Sequence, residues 1–182
     1  MRQYFKYFWN GSIIALADQL VETLLAYGGE DELDYGFGKS YKWRYLPRGF
    51  QEAKQTGKPI FLVIHKTTCP ACVKLKEKFS RSVKLIDMSQ HFVMINIESS
   101  SNLIQSDKFT PDGKYVPRIL FFTPTGEFIR NAYNRHPDGD PEHRYFYSSP
   151  VQIVQVMQQV IDNSGRNPLP EPQNPEGKEI RG

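Results

Sequence analysis

Two cysteines constrain this chain more than any other feature, because they stand three positions apart between a strand-like and a helix-like segment. Cys69 and Cys72 are the only cysteines among the 182 residues. The apolar run 60–64 before them is typical of a strand buried inside a sheet, and residues 73–79 after them have the character of a helix. Cysteines at this spacing lie on one face of a helix start, close to the Cα separation of roughly 5.5 Å that a disulfide prefers. The pattern therefore predicts a redox-active dithiol.

The residues around the cysteines favour the thiolate, which is the reactive form of a cysteine. The amide groups and the positive end of the dipole at a helix N-terminus stabilise negative charge there. Pro70 fits the first helical position, where its missing N–H is not needed. The first cysteine is therefore predicted as the exposed nucleophile and the second, one turn inside the helix, as the buried resolving thiol.

Two other uses of a cysteine pair have less support from the sequence. A closed zinc site needs about four Cys or His ligands, whereas this chain has no second cysteine pair and its four histidines are scattered. A purely structural disulfide that closes so short a loop removes little chain entropy. We therefore expect no metal at this site and no cofactor beyond the dithiol itself.

Composition limits the domain count and the classes of partner. A chain of this length with 39 % hydrophobic residues is enough for one ordinary domain with arms. The net charge of +3 is spread out and shows no basic stripe with aromatic platforms, so nucleic acid is not an expected partner. No stretch reaches the roughly 18 to 20 apolar residues of a membrane span.

The first 35 residues permit two interpretations. Residues 1–17 have a charged start and a small-residue stretch like those of a secretory signal, but Asn10-Gly11-Ser12 interrupts the apolar part. The alternative is an amphipathic helix over about 12–27, which we favour because the apolar residues recur at helical spacing. Residues 28–41, rich in glycine and acidic side chains, are predicted to be a linker.

The rest of the chain alternates strands and helices. The order strand, Cys-x-x-Cys helix, strand predicts a βαβ unit with parallel strands. The predicted elements are, in chain order, a helix at 47–55, a strand at 60–64, helices at 73–79 and 83–90, strands at 92–97, 118–122 and 127–130, and a helix from Ser149-Pro150. The last two strands are expected to form a hairpin across 123–126. The predicted boundaries are an N-terminal helix and linker at 1–35, a domain at 36–164 and a disordered tail at 165–182.

This order of elements, together with a linked set of motifs, resembles the small endoplasmic-reticulum proteins of the thioredoxin domain-containing protein 12 and anterior-gradient group. The resemblance covers roughly residues 36–162. Its motifs are Gly36-Phe37-Gly38, Trp43, Ile64-His65-Lys66, Cys69 to Cys72, His91-Phe92-Val93-Met94, Pro111-Asp112-Gly113, Val116-Pro117-Arg118-Ile119-Leu120-Phe121 and Tyr145-Phe146-Tyr147.

The resemblance implies an α/β thioredoxin fold, with a central mixed sheet between helices and an N-terminal helical extension. It also implies a thiol–disulfide oxidoreductase that exchanges disulfides with client proteins, with Cys69 and Cys72 as the catalytic pair. Val116 and Pro117 match the family's substrate-binding position, where a cis proline faces the dithiol. His65, Lys66 and Lys74 are candidates for tuning the thiol pKa by positive charge; the alternative is that they are solvated residues beside the helix.

This sequence departs from the family pattern in three places. Thr68 replaces the usual tryptophan before the first cysteine, which removes apolar cover from the thiol. Val63 stands where thioredoxins carry a buried acid that helps the second cysteine lose its proton. The segment 179–182 is not a Lys-Asp-Glu-Leu-like retention signal.

Two rival functions remain open at this stage. One is a client-binding chaperone of the anterior-gradient type, in which the dithiol is secondary. The other is a glutaredoxin-like reductase that uses glutathione, although no Gly-Gly pair follows the proline strand. The resemblance favours the endoplasmic-reticulum lumen or secretory pathway, with a cytoplasmic or secreted protein as the alternative. The expected partners are client proteins and, as an alternative reductant, glutathione; the sequence does not set the oligomeric state.

Overall fold

The computed structural model describes residues 33–164 of the chain. The helix expected at 12–27, the signal-like segment at 1–17 and the tail at 165–182 lie outside the described residues. Within residues 33–164, no helix is long and apolar enough to cross a membrane.

The described residues form an α/β structure with eight principal elements. They are β1 (Trp43–Arg44), α1 (Leu46–Thr56), β2 (Ile60–His65), α2 (Pro70–Ser80), α3 (Val83–Ser89), β3 (Val93–Glu98), β4 (Arg118–Phe122) and α4 (Pro150–Ser164). Two short 3₁₀ turns, Asn102–Ile104 and Asp107–Phe109, lie between β3 and β4.

The four strands form one mixed sheet in the order β1-β3-β2-β4. β1 and β2 each pair with β3 in parallel, and β4 runs antiparallel to β2. The parallel β2–α2–β3 unit confirms the predicted βαβ connection. Because β2 lies inside the sheet, all six of its residues are buried, which accounts for its unbroken apolar sequence.

Alternation along the strands divides the core into two layers. Phe61 and Val63 of β2 point toward the side covered by α2, α3 and α4, whereas Leu62 and Ile64 point toward α1. Helix α1 approaches the sheet closely at Gly49, where an added Cβ would lie 2.5 Å from Cδ1 of Ile95. The cysteine-bearing helix α2 is therefore held against one face of the sheet, beside the carboxyl end of β2.

Two predictions about connecting segments are wrong. The chain does turn back at 123–126 and lie antiparallel to β4, as the predicted hairpin requires, but residues 127–130 form no regular strand, since they pair with β4 only through one isolated bridge, Phe122 with Phe128. The described part of the predicted linker at 28–41 is packed into the domain. Phe37 is fully buried and Tyr41 nearly so, and the Asn96 side chain donates hydrogen bonds to the carbonyls of Leu33 and Asp34.

Candidate active site

The two cysteines lie where β2 ends and α2 begins. Cys69 is the N-cap residue of α2 with an extended backbone, and Pro70 occupies the first turn. The chain turns tightly between strand and helix, because the Cys69 amide donates to the Lys66 carbonyl at 3.1 Å. Both cysteines are free thiols. Cys69 is partly exposed and Cys72 is fully buried, which is the arrangement expected of a nucleophile and a resolving thiol.

The environment of Cys69 favours its thiolate. Partial burial by itself raises the pKa of this thiol, but hydrogen bonds from Cys72 and from the Ala71 amide, together with the charge of Lys66, lower the pKa below its ordinary value. These amides belong to the first turn of α2, where no intrahelical acceptor is available to them. Cys69 is therefore the thiol that ionises first.

The environment of Cys72 opposes its ionisation. Burial raises the pKa of this thiol, and the neighbouring Cys69 raises it further. The Lys66 amide, which donates to Sγ at 3.4 Å, and the charge of Lys76 act in the opposite direction. The two thiols therefore titrate in opposite directions from the ordinary cysteine value.

The predicted substrate-binding pair lies beside the dithiol. The Val116–Pro117 peptide bond is cis, as expected. The Cys69 thiol donates a hydrogen bond to the Val116 carbonyl at a distance of 3.8 Å between sulfur and oxygen. Within residues 33–164, the Val116 amide makes no hydrogen bond. The structure thus brings Cys69, Cys72, Val116 and Pro117 to one place.

The prediction that His65 supplies positive charge is wrong, and so is the alternative that it is solvated. The His65 side chain is fully buried against the rings of Tyr35 and Phe37. Burial and the charge of Lys76 lower its pKa to about 4, with Glu98 acting against them. Nδ1 lies 3.4 Å from Oε2 of Glu98, without the geometry of a hydrogen bond. His65 is therefore a neutral ring at neutral pH.

The two lysine candidates differ in their relation to the thiols. Lys66 is exposed, and both its charge and its backbone amide act on the cysteines. Lys74 is exposed on α2, and no hydrogen bond among the described residues joins it to either thiol. Its influence on the thiol pKa stays a prediction.

Sequence reasoning missed Lys76 and Glu98. Lys76 stands in the sequence between two exposed lysines of α2, Lys74 and Lys78, but only 8 % of its own surface is exposed. It follows Cys72 by four positions, a spacing that places two residues on the same helix face and could have identified it. Glu98 ends β3 opposite His65, and its Oε2 accepts hydrogen bonds from the amide and hydroxyl of Thr67 at 3.1 and 2.9 Å.

The amino-acid sequence matches a known protein family. Residues 42–124 match the family model described as thioredoxin-like. Anterior gradient protein 3 of Mus musculus is 30 % identical over 120 residues, which are 60 % of this chain and 70 % of that protein. The chain belongs to the anterior-gradient family of thioredoxin-like proteins.

Other members and two structures extend the comparison. Anterior gradient protein 3 of Xenopus tropicalis is 31 % identical over 60 % of this chain and 71 % of that protein. The anterior gradient protein 2 homolog of Homo sapiens is 28 % identical over 58 % of this chain and 63 % of that protein. A disulphide isomerase from Xylella fastidiosa superposes with a TM-score of 0.44 at 19 % identity, over 63 % of this chain and 87 % of that one. The DsbH oxidoreductase superposes with a TM-score of 0.38 at 16 % identity, over 50 % of this chain and 71 % of that one.

A thioredoxin-like fold with free, adjacent thiols supports a role of the thiol–disulfide oxidoreductase type for this anterior-gradient family member. The described residues contain no group of three or more His, Cys, Asp or Glu side chains arranged to hold a metal ion.

Proposed function

We propose that this protein exchanges disulfides with client proteins through the Cys69–Cys72 dithiol. The observation that carries the proposal is the asymmetry of the pair. Cys69 is partly exposed at the start of α2 with a lowered pKa, and Cys72 is buried one turn further with a raised pKa. An attacking thiol needs thiolate character and access, and a resolving thiol needs protection from other reactants.

The proposed reaction begins with attack of the Cys69 thiolate on one sulfur of a client disulfide. A mixed disulfide forms, and the other client sulfur leaves as a thiolate that takes a proton from water. Cys72 then loses its proton and attacks Sγ of Cys69. The Cys69–Cys72 disulfide forms, the bond from Cys69 to the client breaks, and the client leaves as a thiol. The client is reduced by two electrons and the dithiol is oxidised; the reverse sequence oxidises a client.

The backbone of Val116 is the proposed docking point for the client. Its carbonyl lies beside the Cys69 sulfur, and its amide has no partner among the described residues. An extended client segment could pair with these two groups as an added strand does. Docking there would place the client sulfur next to Sγ of Cys69.

We also propose a compartment and a reductant. Family membership and the use of disulfide exchange where disulfides persist favour the endoplasmic-reticulum lumen or another part of the secretory pathway. Glutathione is the proposed small-molecule reductant, and no other cofactor is needed. Protection of the protein from protease added outside sealed microsomes is the expected result, and full digestion would contradict a lumenal location.

Mixed-disulfide trapping in cells tests the proposed exchange. The Cys72→Ala protein is expected to accumulate covalent complexes that are visible on non-reducing gels and vanish on reduction, because the resolving thiol is missing. The Cys69→Ala protein is the matched control and should trap none, since its remaining thiol is buried. The opposite pattern would reverse the two roles. Absence of complexes with both variants, together with full cellular activity of Cys72→Ser, would favour a client-binding chaperone instead.

A further inference from the structure

The resolving step requires a buried thiol to ionise. Cys72 is fully buried and its pKa is raised, yet it must become a thiolate to attack the mixed disulfide. The side chain at the position where an acid would assist it is Val63, which is also fully buried and offers no polar atom. The Lys66 amide donates to Cys72 Sγ at 3.4 Å, and a positive charge nearby would stabilise the thiolate further.

Lys76 is the charged side chain best placed for this purpose. It lies one helical turn after Cys72 on the buried face of α2, with 8 % of its surface exposed. Its Nζ is 5.3 Å from the centre of the Phe37 ring and, among residues 33–164, forms neither a hydrogen bond nor an ion pair. A buried ammonium without a direct partner is costly. It is therefore available to pair with a negative charge that forms nearby.

Two carboxylates favour the charged form of this lysine, although its pKa is lowered overall by burial. Burial lowers the pKa of Lys76, whereas Cys72, Glu98 and Asp34 raise it. Glu98 is fixed by the hydrogen bonds from Thr67, and the Asp34 backbone is held by Asn96.

The loop before the cysteines links these groups to the reacting sulfur. Its successive amides at Lys66 and Thr67 bind Cys72 Sγ and Glu98 Oε2, respectively. The carboxylate, the ammonium and the sulfur therefore share one side of the sheet beneath the dithiol.

We propose that the Lys76 ammonium stabilises the thiolate of Cys72 during the resolving step, in place of the acid that Val63 does not supply. The inference rests on the proposed function and deepens it. Cys72 gives up its proton, its thiolate pairs with Lys76, and the new Cys69–Cys72 bond releases the client sulfur. The proton ends on that departing sulfur, so the step needs no further reactant. Lys76 is a positioning residue, since it acts through Cys72.

The titration of Cys72 depends on a small set of groups. His65 is neutral above about pH 4, so it carries no charge in the relevant range. The charged or titratable groups that face Cys72 or its lysine from the neighbouring elements are Asp34, His65, Lys66, Cys69, Lys76 and Glu98.

The direct test is the ionisation of Cys72 in a Cys69→Ser background, where it is the only thiol. Ultraviolet absorbance of the thiolate against pH gives the midpoint without any client. Lys76→Met is expected to raise this midpoint by about one pH unit, because the charge of Lys76 lowers the pKa of Cys72 and the loss of a neighbouring opposite charge shifts a pKa by about that amount. Lys76→Arg should retain the parent midpoint. Lys78→Met removes an exposed lysine of the same helix and is the matched control.

A second measurement follows the mixed disulfide in the protein with both cysteines. A shift of one pKa unit reduces the thiolate fraction about tenfold, so Lys76→Met should resolve the complex about tenfold more slowly at neutral pH, with the deficit shrinking as the pH rises. Lys76→Gln is a second neutral variant should methionine disturb folding.

The outcomes separate the two proposals. An unchanged Cys72 midpoint in folded Lys76→Met and Lys76→Gln would overturn the inference, as would an equal shift in Lys78→Met. A raised midpoint in a protein that exchanges no disulfides would instead leave the electrostatic role of Lys76 in place and refute the proposed function.

Discussion

Acid should destabilise this protein through His65, and the structure gives the size of the effect. The ring is fully buried, and its pKa falls from 6.5 to about 4 in the folded protein. The unfolded chain therefore binds a proton between these values that the folded protein does not bind. Stability from this group is complete above pH 6.5 and is lost as the pH falls toward 4. At 1.36 kcal/mol per pKa unit, the loss amounts to about 3 kcal/mol.

The assay is urea unfolding between pH 7 and pH 4 under reducing conditions. The free energy of unfolding of the parent protein should fall with a slope of up to about 1.4 kcal/mol per pH unit in that range from His65 alone. The His65→Leu protein lacks this titration. Its free energy of unfolding should therefore fall less steeply with pH, by up to about 1.4 kcal/mol per pH unit, whatever its stability at pH 7. His91→Gln changes an exposed histidine and is the control.

Two results would refute the reasoning. Parallel pH dependences of the parent and His65→Leu would mean that His65 titrates alike in the folded and unfolded states. A steeper loss of stability in His65→Leu would mean that the folded protein binds the proton more tightly, as an exposed ion pair with Glu98 would require.

Four further predictions concern packing and the nucleophile. Gly49→Ala should destabilise by up to about 2 kcal/mol, because crowding against Ile95 costs about 1–3 kcal/mol and the helical gain of alanine over glycine is about 1 kcal/mol; a more stable variant in denaturant unfolding would contradict this close approach. Phe79→Ala should cost about 3–5 kcal/mol, since Phe79 is fully buried among four aromatic rings with centroids 4.8 to 6.0 Å away. Val83→Ala, which is 79 % exposed, should change stability by less than about 0.5 kcal/mol, and equal losses in these two variants would refute the core assignment. The alkylation rate of Cys69 against pH should show a midpoint below that of a free thiol, about 8.5, and a midpoint at or above it would contradict the effect of the α2 N-terminus.

Local chemistry made much of the fold predictable. The apolar run 60–64, the proline after Cys69 and the spacing of the cysteines are short-range signals, and they located β2, α2 and the dithiol. The parallel pairing of β2 with β3 followed from the order of the elements, because a helical crossover between neighbouring strands joins them in parallel. The sequence also pointed to Val116 and Pro117 through the family resemblance.

Contacts between segments that are distant in the sequence determined the environments of His65 and Lys76. His65 and Lys76 look like solvated cations in the sequence, because burial of a polar side chain depends on what other segments place over it. Phe37, from a stretch that reads as a linker, packs on both residues, with its ring 5.4 Å from that of His65 and 5.3 Å from Lys76 Nζ. The same packing that hides Lys76 places its charge beneath Cys72. The sequence by itself therefore determined where the thiols lie along the chain, whereas the tertiary structure determined which charges act on them.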